Sequence, residues 1–533
     1  MEKNSYVSIT LAATTLENLG VLKDLAEFWK IPYNIHPGSE QVRFLVSSGI
    51  PSEDQNTQKS PTIIIPSGNE ECRKICRQHG LQLEEKEENV RLPIAPETFT
   101  SLKTRVREFQ GAQLTPVLAT DRITILNKLK GTESYLLSLD IVGEYTNRIR
   151  EGLEDPVSAR FRLVSLLPIP YSVIPEALRN WSLRRAYSTA GENEENGPIE
   201  CLRTIFLASI VLASKRPIPR IAFWRQGKRF VMTVTHDVES KKGLEQGTES
   251  LLEVEKKLDI RSTWNLPSER YPISDESLHR LAVAGDIGAH DTRHDGRLVL
   301  DSFDDMVNRV VQCKEKLESS GDTIVVGFRS PLLQHSTKLL AAIRKAGYEF
   351  DSSIPSWEAL SPTSLKPHGI GTVFPLEVDG MVEIPVSLPQ DHQLLRIQTL
   401  SPSEAVEQLL SLSRWIRGIG GVCVVLVHPD YEFGNREHQL EYTRLLGEFR
   451  KDPECDIMTL KGVADWWRKR RSTFVDISNG SARIRSLGNN LDLGGLDLEI
   501  VVGYASSGFE TTRIKTSMGD DLRLGLENVT GGQ

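Results

Sequence analysis

The sequence predicts a mixed α/β protein built around a parallel sheet or barrel. From Phe230 onward, short apolar segments alternate with longer segments of helical spacing, an order typical of parallel strands joined by helices. Polar residues suited to chemistry follow several apolar segments, at the edge where a β/α barrel carries its active site. The predicted strands are Phe230–His236, Arg261–Leu266, Asp286–His290, Thr323–Phe328, Tyr348–Ser352, Met381–Ser387, Val422–His428 and Asp456–Leu460.

Changes in sequence pattern divide the 533 residues into four predicted segments. Residues 1–95 have a strand–helix–strand–helix order, which predicts a small α/β unit. Residues 96–215 are predicted to be mostly helical, and residues 216–470 contain the alternating strands and helices. Residues 471–533 show period-two alternation interrupted by Gly and Asn, which predicts a small β-rich C-terminal appendage.

The composition is that of an ordinary globular protein, with 39% hydrophobic and 26% charged residues. A formal net charge of −8 argues against nucleic acid as a partner. The longest apolar stretch, 205–213, is far shorter than the roughly 20 residues of a membrane span. The first residues show no secretory signal pattern. We therefore expect no integral membrane span and a cytoplasmic location.

Two histidines, His290 and His294, lie four residues apart at the end of a predicted strand. On a helix this spacing puts both side chains on one face, which suits two ligands of one metal ion. With 11 histidines in the chain, such a pair also arises by chance, so the spacing alone is a weak signal. The small residues Gly288 and Ala289 just before the pair, at a strand end, strengthen the prediction of a metal site.

Two acidic residues, Asp237 and Glu239, follow the apolar strand Phe230–Val234. Neighbouring carboxylates at a strand end can divide their roles, one as a metal ligand and the other as a general base. The alternative is a solvated strand-to-helix turn with a helix N-cap. Taken alone, this segment favours the alternative.

Three further segments place a polar residue at a predicted strand end. Arg329 is followed by Pro331 and could pair with an active-site carboxylate, although a single arginine more often forms a surface ion pair. Asp351 precedes two serines, with Trp357 downstream. His428 ends the apolar run from Val424, although a lone histidine there is more often a core residue.

In order and approximate spacing, these five segments resemble the five motifs of the polysaccharide deacetylases, the NodB homology family or carbohydrate esterase family 4. THDVE resembles the first motif, usually TFDD, and HDTRH resembles the histidine pair. FRSP resembles the arginine–proline motif, FDSS with Trp357 the Asp–Trp motif, and LVH the final histidine. The resemblance covers residues 216–470 and implies a deformed (β/α) barrel.

The resemblance implies a divalent metal, usually zinc, held by His290, His294 and a carboxylate of the first motif. That carboxylate would be Glu239, and Asp237 would be the general base that removes a proton from the attacking water. The family usually has two adjacent aspartates, whereas here Val238 separates the two acids. If Glu239 does not reach the metal, Asp237 could bind it instead, and the base would lie elsewhere.

The resemblance also assigns the remaining residues. His428 would be the general acid that protonates the leaving amine, Arg329 would hold the base in place, and Asp351 would orient His428. Pro331 and Trp357 would contact the substrate. The family prefers Ser or Thr where this chain has Asp291, but the spacing of the histidines is intact.

Together these features predict a metal-dependent hydrolase that removes an acetyl group from an amino sugar. The expected substrate is an intracellular carbohydrate, such as a lipid-linked or nucleotide-linked amino sugar. The alternative is hydrolysis of another non-peptide C–N bond, such as a ureide amide, on the same barrel. A third class is a non-catalytic glycan-binding relative, which the changed first motif favours and the retained metal pair, base and acid oppose.

Overall fold

The computed structural model describes most of the chain, and its residues fall into two compact units. Unit 1 comprises residues 1–148, 194–227 and 469–533, and unit 2 comprises residues 149–193 and 228–468. Within the described part of the chain, no helix combines the length and apolar character needed to cross a membrane. The described residues are 6–36, 43–48, 60–66, 68–165, 176–187, 195–321, 323–478, 481–488 and 492–514.

The N-terminal part of unit 1 is built on a seven-stranded sheet with the order β2-β1-β3-β4-β9-β8-β7. The prediction of a small α/β unit in residues 1–95 is too short, because strands from residues 114–137 complete this sheet. The elements are β1 (Val7–Ala12), α1 (Leu16–Trp29), β2 (Tyr33–His36), β3 (Arg43–Ser48), β4 (Thr62–Ile64), α2 (Gly68–His79), β5 (Gln82–Ala95), β6 (Thr98–Gln110), β7 (Leu114–Ala119), β8 (Thr124–Leu129), β9 (Ser134–Leu137) and α3 (Ile141–Gly152).

The prediction that residues 96–215 are mostly helical is wrong for residues 98–137, which form β6 to β9. Strands β5 and β6 form a long antiparallel hairpin whose charged residues include cross-strand pairs, such as Lys86 with Glu108 at 3.0 Å. Glu and Lys are depleted in strands generally, so their abundance here hides the strand pattern. Helices follow later, as α4 (Ala159–Ser165), α5 (Glu176–Tyr187) and α6 (Pro198–Ser214), before strand β10 (Ile218–Ile221).

Unit 2 is built on a sheet with the order β16-β17-β15-β14-β13-β12-β11-β18, with β19 also paired to β11. All of its pairings are parallel except β16 with β17. Its elements are β11 (Phe230–Asp237), α7 (Thr248–Lys257), β12 (Ser262–Leu266), α8 (Asp275–Ala284), β13 (Gly285–Ala289), α9 (Phe303–Gly321), β14 (Gly327–Phe328), α10 (Thr337–Lys345), β15 (Phe350–Asp351), β16 (Leu376–Val378), β17 (Met381–Glu383), α11 (Pro402–Ile419), β18 (Val422–Leu426), α12 (Gln439–Lys451), β19 (Cys455–Ile457) and α13 (Leu460–Arg471).

The central strands of unit 2 are apolar because helices cover the parallel sheet. Every residue of β11, β12 and β18 is buried, as expected for strands covered on both faces. The helices carry clear start signals. In α11, Ser401 and Glu404 form a reciprocal capping box, Pro402 occupies the first turn, and Gly420 ends the helix with a positive φ of 90°.

The C-terminal strands belong to unit 1. They are β20 (Thr473–Ser478), β21 (Ser481–Ser486), β22 (Leu498–Ala505) and β23 (Gly508–Ile514). The region is β-rich as predicted, but a separate appendage is not confirmed, because β22 pairs with β10 as well as β23. Its paired residues include Arg220 and Glu499, whose side chains form an ion pair at 2.5 Å.

Candidate active site

The carboxyl ends of the parallel strands of unit 2 bring the predicted chemical residues together. Asp237 is the last residue of β11, and it lies in register with Asn265 of β12. His290 follows β13 directly, Arg329 follows β14 directly, and His428 comes two residues after β18. Because adjacent parallel strands end at the same edge, side chains distant in sequence converge there. The five predicted segments therefore meet at one edge of one sheet.

The two histidines meet through a loop, which corrects the prediction that they share a helical face. After β13 the chain is irregular, and Asp291 and His294 adopt positive φ angles of 67° and 50°. The imidazole rings of His290 and His294 lie 4.7 Å apart between centroids. Such backbone angles cost free energy in non-glycine residues and recur at functional sites. The spacing predicted the pair, but not the local conformation that brings the rings together.

Asp291 stabilises this loop, although the family pattern has Ser or Thr at its position. Its carboxylate accepts a hydrogen bond from the backbone N–H of His294 at 3.0 Å. The Arg309 guanidinium donates to both oxygens of Asp291, at 2.6 and 2.5 Å. Arg309 also donates to Asp295 at 2.5 Å, so one arginine of α9 holds two loop acids. Asp291 and Arg309 together therefore hold the loop that carries His294.

Glu239, His290 and His294 form a group whose ligand atoms all lie within 4.8 Å of one another. Oε1 of Glu239 lies 3.0 Å from Nε2 of His294, yet both histidine Nε2 atoms are buried without a hydrogen-bond partner among the described residues. Nδ1 of His290 lies 2.8 Å from the Arg329 carbonyl oxygen, which fixes the proton on Nδ1 and leaves Nε2 free to bind a metal. Two imidazoles and a carboxylate are a donor set that suits zinc.

The electrostatics of these residues agree with a ligand role. Burial lowers the pKa of His290 to about 4, outweighing the nearby charge of Asp237, so the ring is neutral at neutral pH. Burial raises the pKa of Glu239, but the charges of His294 and His428 outweigh it and hold that pKa well below its usual value. A neutral imidazole and an anionic carboxylate are the forms that bind metal.

Arg270 is the exception to this fit. Its Nη1 lies 2.7 Å from Nδ1 of His294 and donates to the His294 carbonyl oxygen at 2.6 Å. Because arginine is only a donor, Nδ1 of His294 must accept, and the neutral ring then carries its proton on Nε2. That tautomer does not bind a metal through Nε2. The His290 side of the group thus fits a metal directly, whereas on the His294 side the Arg270–Nδ1 contact must open so that the ring proton moves from Nε2 to Nδ1.

Asp237 has the surroundings expected of a general base. Its Oδ1 accepts a hydrogen bond from Nδ2 of Asn265 at 2.8 Å and lies 3.5 Å from Nη1 of Arg329. Its Oδ2 lies 3.9 Å from Nε2 of His290. Burial raises the pKa of Asp237, but the charges of Arg329, His290 and His428 outweigh it, so the pKa lies below its usual value. Asn265 is a contact that the sequence motifs did not predict.

His428 is oriented by Asp391, which corrects the prediction that Asp351 orients it. Nδ1 of His428 lies 2.6 Å from Oδ1 of Asp391, and the His428 backbone N–H donates to Oδ2 at 2.8 Å. Burial lowers the pKa of His428, but the charges of Asp391, Glu239 and Asp237 outweigh it and raise the pKa to about 10. A protonated imidazole at neutral pH suits a general acid.

Asp351 instead forms a buried carboxyl pair with Glu383 on a neighbouring strand. The two residues are in register across β15 and β17, and both are fully buried. Oδ1 of Asp351 accepts from the Ser353 hydroxyl at 2.7 Å. Burial raises the pKa of both carboxyls. The charge of Asp351 raises the pKa of Glu383 further, whereas the side-chain hydrogen bond with Glu383 partly offsets the effect of burial on the pKa of Asp351. The pKa values of both carboxyls therefore lie above their usual values, in a pair that lies next to Arg329.

His236, the neighbour of the base, belongs to a buried polar network on the other face of β11. Its Nδ1 lies 2.9 Å from the Val427 carbonyl oxygen and its Nε2 2.7 Å from Oε1 of Glu255, which also accepts from the Tyr442 hydroxyl. The His236 ring stacks on Trp264 at 4.1 Å. Trp264 is fully buried, so it does not face the cleft.

One pocket, with a volume of about 950 Å³ including its mouth, is lined by Glu239 and His294 of the possible metal group and by Asp237 and His428. Neither predicted substrate contact lines it. Pro331 is buried beside the lining residues Leu332 and Leu333, and Trp357 is 38% exposed next to the lining residue Glu358. The lining residues are Leu183, Tyr187, Asp237, Glu239, Arg270, His294, Leu332, Leu333, Glu358, Leu360, Pro362, Gln390, His392, Gln393, Ile397, His428 and Tyr431.

No protein-family model matches the sequence, and no curated protein matches it. Structural similarity to polysaccharide deacetylases extends over about half of the chain. A "putative polysaccharide deacetylase" from Mycobacterium smegmatis has 20% identity and a TM-score of 0.39, with 48% of this chain and 96% of that chain covered. The PuuE allantoinase has 14% identity and a TM-score of 0.38, with 46% and 93% covered.

A third similar structure is BA3943, a pseudoenzyme of carbohydrate esterase family 4 from Bacillus anthracis. It has 14% identity and a TM-score of 0.31, with 46% of this chain and 68% of that chain covered. These three proteins represent a deacetylase, a ureide hydrolase and an inactive relative. At these identities and TM-scores, the similarity does not select among the three functions.

Proposed function

We propose that unit 2 is a metal-dependent hydrolase of amide C–N bonds, with N-acetylated amino sugars as its first candidate substrates. The observation that carries this proposal is that Asp237, Glu239, His294 and His428 line one pocket, and that Glu239 and His294 also form a possible metal group with the buried His290. A binding protein has no need for a metal group, a buried base and a protonated imidazole in the same place. The non-catalytic alternative therefore has the least support from the geometry.

Glu239, His290 and His294 would hold the metal, and zinc is our first candidate. When bound, such an ion supplies Lewis acidity, which polarises an amide carbonyl and lowers the pKa of water. Asp237 accepts the proton of the attacking water on Oδ2, because Oδ1 already binds Asn265. His428 donates a proton from Nε2 to the leaving nitrogen, since Nδ1 is held by Asp391. Water and amide are thereby converted to a carboxylate and an amine.

The barrel form of the sheet is part of this proposal. The two ends of the hydrogen-bonded ladder, near β17 and β18, are joined by Ser387 rather than by strand pairing. Its hydroxyl donates to the Val422 carbonyl oxygen at 2.6 Å and accepts from the Val424 backbone N–H at 2.9 Å. This contact supports a deformed barrel that closes through a side chain. A cytoplasmic location and an intracellular glycan substrate remain predictions from the sequence.

A ureide amide is the second candidate substrate, because of the shape of the pocket. An open, aromatic-walled cleft suits a sugar polymer, whereas an enclosed pocket suits a small molecule. Trp264 is buried and Trp357 lies outside the lining, so neither supports an open cleft. The lining instead includes Leu183 and Tyr187 of α5, which supports a substrate of limited size.

The proposal is tested by metal content and by two variants. Zinc-loaded protein is expected to release acetate from N-acetylglucosamine conjugates, with allantoin assayed in parallel. Asp237→Asn is expected to retain zinc and lose activity by about 10²–10⁴-fold, the range for loss of a general base. The double variant His290→Ala, His294→Ala is expected to lose both. Zinc retained near one ion per chain in the double variant would contradict the metal assignment.

A further inference from the structure

Glu358 lies in the wall of the active-site pocket and has no part in the metal or proton-transfer roles described above. Its side chain is 8% exposed. Nε2 of Gln390 donates to Oε1 at 2.9 Å, and Nε2 of His368 lies 3.1 Å from Oε2. The backbones of Glu358 and His368 also exchange hydrogen bonds in both directions. The carboxylate is therefore fixed in position before a ligand binds.

A second layer of contacts supports this carboxylate from behind. Nδ1 of His368 lies 4.0 Å from Oδ2 of Asp155, which accepts from the Ser361 hydroxyl at 2.6 Å. The His368 ring stacks on His335, with centroids 5.3 Å apart and planes 6° from parallel. The His368 ring therefore contacts Glu358 directly, while the Ser361 hydroxyl holds Asp155 on the far side of the ring. Such outer support is typical of a group that must recognise a ligand with precise geometry.

The chemistry of Glu358 limits what it can bind. An ionised carboxylate only accepts hydrogen bonds, so its ligand must present N–H or O–H donors. Two oxygens in a fixed plane favour a ligand with two neighbouring donors. Both the adjacent hydroxyls of an amino sugar and the adjacent N–H groups of a ureide meet this requirement. An anionic group at this position is disfavoured, because it would bury like charges together.

Helix α5 limits the size of the ligand. Leu183 and Tyr187 of this helix line the pocket. The Tyr187 hydroxyl accepts from Nε2 of Gln398 at 2.8 Å, and Nε of Arg184 donates to the Arg396 carbonyl oxygen at 2.8 Å. The helix is thus fastened beside the segment that contributes Gln390 and Ile397 to the lining. A wall of this kind obstructs a polymer that must pass through the site.

Backbone strain marks a third part of the same pocket. Leu332 and Leu333 line it and have consecutive positive φ angles of 58° and 51°. Neither residue is a glycine, so each angle is strained and persists only where the surroundings impose it. Leu333 is 2% exposed, and its carbonyl oxygen lies 2.9 Å from Nδ1 of His335. The strained turn therefore connects the apolar wall to the layer behind Glu358.

We propose that Glu358 is the substrate-recognition residue of this pocket. The substrate is a small molecule with paired N–H or O–H donors, and it enters as a single molecule, not as an internal unit of a polymer. This inference rests on the proposed function and deepens it by naming the substrate class. It also assigns His368 as the positioning residue for Glu358.

The test compares substrates and variants of the full chain loaded with zinc. N-acetyl-D-glucosamine, its β-1,4-linked hexamer and allantoin distinguish a single sugar, a polymer and a ureide. Glu358→Gln keeps the size of the side chain but removes its charge, and Glu358→Asp keeps the charge but retracts it. Glu315→Gln, at an exposed glutamate of α9, is the control.

Wild-type protein is expected to hydrolyse one of the two small molecules and not the hexamer. Glu358→Gln should raise KM about tenfold or more while kcat changes less than about threefold, because the loss concerns binding and not chemistry. Glu358→Asp should be intermediate, and Glu315→Gln should match wild type. Zinc content should be the same in all.

Three results would overturn the inference. An unchanged KM in both Glu358 variants would remove the recognition role while leaving the proposed hydrolase in place. A higher kcat/KM for the hexamer than for the single sugar would remove the size limit. Zinc-loaded wild type that turns over none of the three compounds would reject the proposed function, and this inference with it.

Discussion

At the scale of the residue, His428 and Asp391 show how one contact sets the protonation state of a catalytic group. Burial alone would lower the pKa of His428, yet the charges of Asp391, Glu239 and Asp237 raise it to about 10. A group with a raised pKa keeps its proton below that value and loses it as the pH rises through it. A general acid must be protonated, so the loss of the His428 proton is expected to lower the activity at alkaline pH.

Asp391→Asn is expected to move this alkaline limb to lower pH. The substitution removes the largest charge that favours the imidazolium, while Glu239 and Asp237 remain. At pH 9 the variant should therefore lose more activity than at pH 7. The measurement is the pH profile of kcat/KM, with Asp379→Asn at an exposed position as the control. An alkaline limb at the wild-type position would show that His428 is not the acid.

Arg270 presents a second question at the residue scale, because its guanidinium contacts Nδ1 of a proposed metal ligand, His294. The contact favours the tautomer that does not bind metal, and the positive charge opposes a cation nearby. Arg270→Met is therefore expected to bind zinc about tenfold more tightly, a change of the size seen for residues behind metal ligands. Arg270→Lys retains the charge and serves as the control. Titration with a competing chelator measures both affinities.

Weaker zinc binding in Arg270→Met would contradict this expectation. It would indicate that the hydrogen bond from Arg270 to the His294 carbonyl oxygen, at 2.6 Å, matters more than the charge. His294 has a positive φ of 50°, so its backbone depends on such support. The sign of the change thus separates an electrostatic role from a supporting one.

At the scale of the element, the pairing of β15 with β17 places Asp351 opposite Glu383 in the buried sheet. Burial and the charge of Asp351 raise the pKa of Glu383 well above its usual value. When a carboxyl has a higher pKa in the folded protein than in the unfolded protein, its contribution to stability is complete at pH values below the pKa of the unfolded state. That contribution is lost as the pH rises through the pKa of the folded state. The pair should therefore make the wild-type protein less stable at alkaline pH.

Glu383→Gln is expected to reduce this pH dependence. Glutamine mimics the protonated carboxyl, retains an oxygen that can accept from the Ile354 backbone N–H, and does not ionise. The free energy of unfolding should fall less between pH 6 and pH 9 in the variant than in wild type. Denaturant titrations at several pH values measure this difference. Parallel curves for both proteins would show that the pair does not hold a proton.

Also at the scale of the element, the sequence predicted the strands that carry the proposed site residues, but not every residue that contacts those site residues. Strands β11, β12, β13 and β18 lie within one or two residues of the predicted segments, because buried parallel strands are continuous apolar runs. Asp391 and Asn265 were missed. Asp391 lies beyond the predicted strand Met381–Ser387 and belongs to none of the five motifs. Asn265 lies inside a strand, where the sequence alone does not show which residues its side chain contacts.

Other failures have different physical causes. The two histidines were placed on a helix because their spacing fits one, but a loop with two positive φ angles gives the same proximity. Strand β6 of the charged hairpin was predicted to be helical, since cross-strand ion pairs replace the apolar alternation that marks a strand. Glu358 carries no motif, and only the fold places it in the pocket beside the metal group.

At the scale of the whole molecule, the units do not follow the order of the chain. The resemblance predicted from the sequence covers residues 216–470, and the five motifs lie within that segment. However, residues 149–193 also belong to unit 2, and they supply Asp155 and the pocket residues Leu183 and Tyr187. Residues 194–227 return to unit 1 before the motifs begin. A local pattern cannot reveal such an arrangement, because it depends on contacts between distant segments.

The two units have separate cores, so metal binding should stabilise them unequally. A ligand that binds only the folded form stabilises it by about 2.7 kcal/mol at a hundred times its dissociation constant. All three proposed zinc ligands lie in unit 2, so zinc should slow hydrogen exchange in residues 228–468 far more than in residues 68–148. Exchange measured by mass spectrometry, with zinc and with chelator, tests this expectation. The control is the His290→Ala, His294→Ala variant, in which zinc should protect neither region. Equal protection of both units in wild type would show that they unfold together, whereas protection of unit 1 alone would place the metal outside the proposed group.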